Sequence, residues 1–178
     1  LAERRSSRTA VRLSSALDTP YNTQQITVSM NEINLPQSDA NALLALEKQK
    51  VDDTVHEYPI LGGSLRVPLV SFDRREEFVL DVYQNQINLA KGTYQNRARR
   101  VVILARLDFG GAPHRNPDDE EIPCPHLHLY REGFGDKWAI PVPVDSFPSI
   151  ADRWQTLHDF LRYVNVSDPP EFRRSLFT

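Results

Sequence analysis

The stretch from Arg97 to Phe109 (Arg-Ala-Arg-Arg-Val-Val-Ile-Leu-Ala-Arg-Leu-Asp-Phe) limits the fold of this chain more than any other. Read as one strand, it puts Val101, Ile103, Ala105 and Leu107 on one side and Val102, Leu104, Arg106 and Asp108 on the other. A centre apolar on both faces predicts a central strand that is well covered. Such a strand needs neighbours to pair with and a layer to cover it.

The neighbours are legible as short alternating runs. Ser64 to Val70 reads as a strand, with Pro68 marking an edge or a bulge. Phe78 to Tyr83 places Phe78, Leu80 and Val82 on one face. Ile87 and Leu89 continue the alternation through Gln86 to Lys91, and Thr93 to Asn96 resumes an extended path. Pro125 to Pro141 reads as a β-hairpin, with Gly133, Gly135 and Asp136 at its turn and Pro141 blunting the return arm. The covering layer comes from two amphipathic segments. One runs from about Ser38 to Lys50, with Ser38 as N-cap and Lys48 and Lys50 suited to its negative end. The other runs from about Ser149 to Asn165, with Ser149 and Asp152 resembling a capping box and Ile150, Trp154, Leu157 and Leu161 as its apolar stripe. Asp168-Pro169-Pro170 stops it, and the tail from Glu171 carries Phe172, Leu176 and Phe177 for a short docked turn. The order is helix, strands, helix. It predicts an α+β domain: an antiparallel β-meander of about five to six strands packed by an N-terminal and a C-terminal helix.

Composition narrows the setting. At 178 residues, 40 % hydrophobic and 25 % charged, the chain suits one soluble domain. A net charge of -3 gives the whole molecule no bias toward nucleic acid. Cys124 is the single cysteine, which rules out an intrachain disulfide and suits a cytoplasmic, reducing compartment. The longest purely apolar run, Val101 to Ala105, is too short to span a membrane. Residues 1–29 differ from the rest: Arg4, Arg5, Arg8 and Arg12 are interspersed with serines and few acids. They read as a flexible Arg/Ser-rich leader, and residues 30–178 as the single α+β domain. The sole methionine, Met30, falls at the junction.

The chemistry gathers around the hairpin. His126, His128 and Tyr130 alternate with Leu127 and Leu129, so the three polar rings are expected on one face. Histidine is the side chain best suited to moving protons near neutral pH. With His114 and Lys91, the pair His126 and His128 reads as a candidate catalytic set for RNA phosphodiester cleavage without metal or other cofactor, or as a hairpin for nucleic-acid binding. Arg97, Arg106, Arg115, Tyr130 and Trp138 are the candidate substrate-binding residues. RNA is then the candidate partner. A second reading makes His-x-His a pair of metal ligands, joined by His114 or, as in a cupin, by Glu132. A cupin is disfavoured, since Glu120 stands where a glycine is expected and no second histidine motif follows. A third reading is a non-enzymatic protein-interaction module, such as a toxin–antitoxin or phage-defence component, with Trp138, Tyr130, Phe134 and Tyr94 as an aromatic surface. The acidic run Asp118 to Glu121 reads as a solvated loop.

Several motifs together resemble a known pattern: Leu35-Pro36-Gln37-Ser38-Asp39, Arg106-Leu107-Asp108, Pro113-His114-Arg115-Asn116-Pro117, Pro125-His126-Leu127-His128-Leu129-Tyr130-Arg131-Glu132-Gly133 and Asp136-Lys137-Trp138-Ala139. They are similar to an uncharacterised bacterial domain family over roughly residues 33–178. The resemblance implies a bacterial, single-domain, cytosolic protein and carries over no catalytic residues.

Overall fold

The computed structural model describes residues 34–88 and 90–174. The expected leader 1–29, Leu89 and the last four residues lie outside them. Helix α1 (Gln37–Ala45) opens the fold and is followed by strands β1 (Lys48–Lys50) and β2 (Val55–Glu57). The meander is β3 (Ser64–Ser71), β4 (Glu77–Gln84), β5 (Gly92–Ala98) and β6 (Val102–Phe109). A small excursion, β7 (His114–Arg115) and β8 (Glu121–Ile122), leads into the hairpin β9 (His126–Leu129) and β10 (Ala139–Pro141). Helix α2 (Arg153–Tyr163), β11 (Val166–Asp168) and β12 (Glu171–Arg173) complete it.

The α+β class holds, but the main sheet has eight strands and is mixed. Its order is β10-β9-β6-β5-β4-β3-β1-β11, antiparallel throughout except for the β1–β11 pair. The strands beyond the expected meander are β1 and β11. Each has three residues, too few to show a period of two. The expected N-terminal helix therefore ends early. The chain leaves it at Leu46, and Lys48 and Lys50 belong to β1. Ser38 does not cap α1; Pro36 takes that position, and the Gln37 N–H donates to Glu132 Oε2 instead. In α2 the N-cap is Asp152, which accepts from Gln155 N at 3.1 Å, three residues later than the capping box predicts. The tail forms β12, a strand parallel to β2, where a helical turn was expected.

The stretch 97–109 is the largest revision. It is a hairpin: β5 runs to Ala98, and a turn closed by Val101 N–H on Ala98 O separates it from β6. Arg99 and Arg100, at its centre, both adopt positive φ, 49° and 68°. A bulge between Asn96 and Arg97 then shifts the register, so that Asn96 faces Ala105 while Arg97 faces Ile103. Leu104 is the extra residue, and it turns into the core. The both-faces pattern of the sequence thus comes from a bulge, and the sheet has one apolar and one polar face. Pro68 fits its expected edge character, lying one residue beyond Leu69↔Lys50, the last pair with β1.

The apolar face carries Leu80, Val82, Tyr94, Leu107 and Leu127 under Leu157, Phe160 and Leu161 of α2 and Ala40 and Leu43 of α1. Lys48 joins the two helices to the sheet. Its ammonium is buried and donates to the carbonyls of Leu44, Leu46 and Val164 at 2.9, 2.8 and 2.9 Å, around the C-terminal ends of both helices. A cation there meets the negative ends of both helix dipoles. No described helix is long and apolar enough to cross a membrane.

Candidate functional site

Adjacent β6 and β9 create the site through their register. Asp108 lies opposite His126 and Arg106 opposite His128. Residues two apart on a strand share a face, so two histidines, an aspartate and an arginine converge on the polar face. His126 and His128 are 4 % and 1 % exposed; Arg106 and Asp108 are each about a quarter exposed at the side chain.

The contacts fix each ring. His128 Nδ1 lies 2.8 Å from the carbonyl oxygen of Asp136, which can only accept, so Nδ1 carries a proton. Its Nε2 is left facing Arg106 Nη2 at 3.0 Å and Asp108 Oδ2 at 3.3 Å. His126 Nε2 stands 3.9 Å from the same Oδ2. His126 Nδ1 is buried without a hydrogen bond. Burial, then the neighbouring His128, pushes the His126 imidazole below its ordinary value. For Asp108, burial alone would raise the carboxyl. The contact with the His128 ring, the hydrogen bond from Thr93 (Oγ1 to Oδ1, 2.7 Å) and the Arg106 charge outweigh it and hold Asp108 well below the usual carboxylate range. Arg106 also donates from Nε to Asp108 Oδ2 at 3.0 Å and from Nη1 to Asp136 Oδ2.

His114 arrives from the β7–β8 excursion. Its ring centroid is 4.5 Å from that of His128 and 5.7 Å from that of His126. Its Nε2 donates to the Lys137 carbonyl at 2.9 Å. Asn116 pins this excursion to the sheet. Its amide Nδ2 donates to Ala139 O at 2.9 Å and its Oδ1 accepts from Ala139 N at 2.8 Å, completing the open edge of β10 as another strand would.

The three histidines and Arg106 are therefore brought together, and the other candidates are placed elsewhere. Lys91 is exposed in the turn before β5, with no hydrogen bond or ion pair to the rings. Arg97 lies on the polar face but is held bidentately by Asp81, at 2.6 and 2.8 Å. Arg115 pairs with Glu121 at 3.0 Å on the excursion. Tyr130 does not share the histidine face. It is in the core, where its hydroxyl meets Leu35 N at 2.6 Å and Leu35 O at 2.9 Å. Trp138 packs in the hairpin loop under the Arg131 guanidinium, 3.7 Å from the ring centroid, and edge-on to Phe134. Tyr94 is fully buried, so the expected aromatic surface reduces to Phe134 and Trp138. Glu132 is committed to the start of α1.

Sequence reasoning missed Asp108, Thr93, Asp136 and Asn116 as parts of the site. Asp108 carried a partial signal, a carboxylate two residues from Arg106 on a strand. The others join only through strand pairing and loop closure.

Fold and site together define an α+β domain whose mixed sheet carries a buried histidine–carboxylate–arginine cluster on its polar face. The chain belongs to DUF6978, a family of unknown function, which it matches over residues 35–166. That agrees with the resemblance drawn from the sequence. No curated protein and no solved structure shows a significant match to it.

Proposed function

We propose that the domain binds one transition-metal ion of the zinc class through His126, His128 and Asp108. The observation that carries this is convergence: one donor atom from each residue, all within 4.8 Å of one another. Bonds of about 2.0–2.1 Å around a tetrahedral ion put donor atoms about 3.3–3.5 Å apart, and the two Nε2-to-Oδ2 distances are 3.3 and 3.9 Å. The outer contacts support it. The Asp136 carbonyl fixes the His128 tautomer with Nε2 turned inward, and Thr93 orients the carboxylate through its other oxygen. Imidazole and carboxylate donors suit zinc and its neighbours.

Three protein donors leave a fourth position open, and a metal there would supply an activated water for hydrolysis. Metal-assisted hydrolysis is the reaction class this centre offers, with part-exposed His114 the ring nearest to accept a proton. Metal-free RNA cleavage by His126 and His128 has less support. A phosphate must touch both rings, and both are buried, while Arg97 and Arg115 are already paired with acids. The lone Cys124 supports a reducing setting, and the bacterial cytosol is the location we propose.

The test is titration of the full chain with cobalt(II) and zinc. One ion per chain is expected, with the visible spectrum of a low-coordinate cobalt site. His126→Ala and His128→Ala should each abolish it while the circular dichroism stays native. Absence of binding in the folded wild-type chain and in the Arg106 variants below would exclude the metal centre.

A further inference from the structure

The donor atoms that converge at this centre are not free. Arg106 lies on two of them, with Nη2 at 3.0 Å from His128 Nε2 and Nε at 3.0 Å from Asp108 Oδ2. The first contact occupies the one lone pair His128 Nε2 could give a metal, and the second occupies part of the acceptor capacity of Asp108 Oδ2. A guanidinium is a planar, permanently charged fork, and here it sits where a cation would sit. Its third contact points away from the centre, from Nη1 to the Asp136 carboxylate. Asp136 stands in the loop between β9 and β10, and its backbone carbonyl holds His128. Arg106 therefore has a second carboxylate to remain on when it leaves the first.

Resting on the metal reading above, we infer that Arg106 is an internal competitor for the metal, exchanged toward Asp136 when an ion enters. The cluster then has two alternative cations for one set of donors. With the guanidinium inward, both carboxylates and the His128 ring have partners without metal. With a metal inward, Arg106 keeps Asp136, and Asp108 trades a guanidinium for a divalent ion. The entry path follows from exposure. The rings are closed off, and the quarter-exposed Arg106, Asp108 and Asp136 form the solvent side. An ion reaches the histidines by way of the group it displaces. The exchange also imposes a threshold, because the incoming ion must outcompete a hydrogen-bonded guanidinium. Ions late in the divalent series, zinc and copper, clear it more readily than manganese, and magnesium, which prefers oxygen donors, does not.

The test compares zinc affinity, by competition with a chromophoric chelator, for the wild-type chain, Arg106→Ala and Arg106→Lys. Removing the competitor should tighten binding by about 10–100-fold, the scale on which groups around a metal act. Arg106→Lys separates occupancy from charge. It keeps the positive charge but lacks the fork that holds both donors, so it should tighten binding too. Equal or weaker affinity in folded Arg106→Ala, or tightening in Ala but none in Lys, overturns the competition and leaves the metal centre standing. Binding by the variants alone supports it, as complete competition. A second measurement needs no variant: labelling of wild-type Arg106 by a guanidine-selective dicarbonyl, mapped by mass spectrometry. Where the wild-type chain binds zinc, labelling should increase as the guanidinium loses two of its three partners; unchanged or decreased labelling in the zinc-bound chain counts against the exchange.

Discussion

Lys48 shows what one residue holds together here. It is 0 % exposed, its ammonium serves three carbonyls, and it lies 4.6 Å from the Phe78 ring centroid. Lys48→Met keeps the stem and removes the donors. Each buried carbonyl left unpaired costs about 1–3 kcal/mol, so we expect a loss of about 3 kcal/mol or more in urea denaturation. The pH dependence has a definite sign. Burial pushes the Lys48 ammonium from 10.5 down to about 8. Between those values the unfolded chain holds the proton that the folded chain has released, so stability rises with pH across this window and falls as pH drops back through 8. The gain, up to about 3 kcal/mol, should appear in the wild-type chain and be missing from Lys48→Met. A flat difference between the two from pH 8 to 10.5 would contradict the assignment.

Two connections decide how well the elements are held. Asn116 stands in for a strand along β10, so Asn116→Ala leaves the N–H and C=O of Ala139 without partners. We expect a loss of about 1–3 kcal/mol and faster hydrogen exchange at the Ala139 amide than in the wild-type chain. The excursion carrying His114 would loosen with it. The β5–β6 turn offers the opposite change. Arg100 sits at φ 68°, where an L residue is strained, and its ion pair with Glu77 is exposed on both sides. Arg100→Gly should therefore stabilise the hairpin by about 0.5–1 kcal/mol, read as a higher urea midpoint. Arg99 is a poorer target, because two hydrogen bonds tie it to Glu76.

At the scale of the whole molecule, an ion that binds only the folded chain must stabilise it. At a free concentration of about a hundred times the dissociation constant the gain is about 2.7 kcal/mol, or a rise of about 5–10 °C for a domain of this size. Zinc should produce that rise in the wild-type chain and none in His126→Ala or His128→Ala. Calcium should produce none in any of them, since two of the donors are imidazoles. The family match begins at residue 35, so deleting 1–29 is expected to leave the melting temperature nearly unchanged.

The α+β class, most strands of the meander, the two helices and the shared face of His126 and His128 followed from the sequence, because each rests on local periodicity. A period of two or of about 3.6 is written in neighbouring residues and survives any tertiary arrangement. What the tertiary structure alone decided is where partners come from far along the chain. The three-residue strands β1 and β11 have no period of their own and exist because each is paired. The bulge after Asn96 moved Leu104 into the core, although strict alternation put it with Arg106 and Asp108. Lys48 looked like the charged end of a helix and became a buried cap, because the carbonyls it serves include Val164, 116 residues away. The candidate site divides in the same way. His-x-His was visible as a pattern, while Asp108 and Arg106 joined it through the β6–β9 register, Thr93 through β5, and Asp136 through closure of a loop. A sequence carries its periods residue by residue, and cross-strand register is fixed only when the chain has closed on itself.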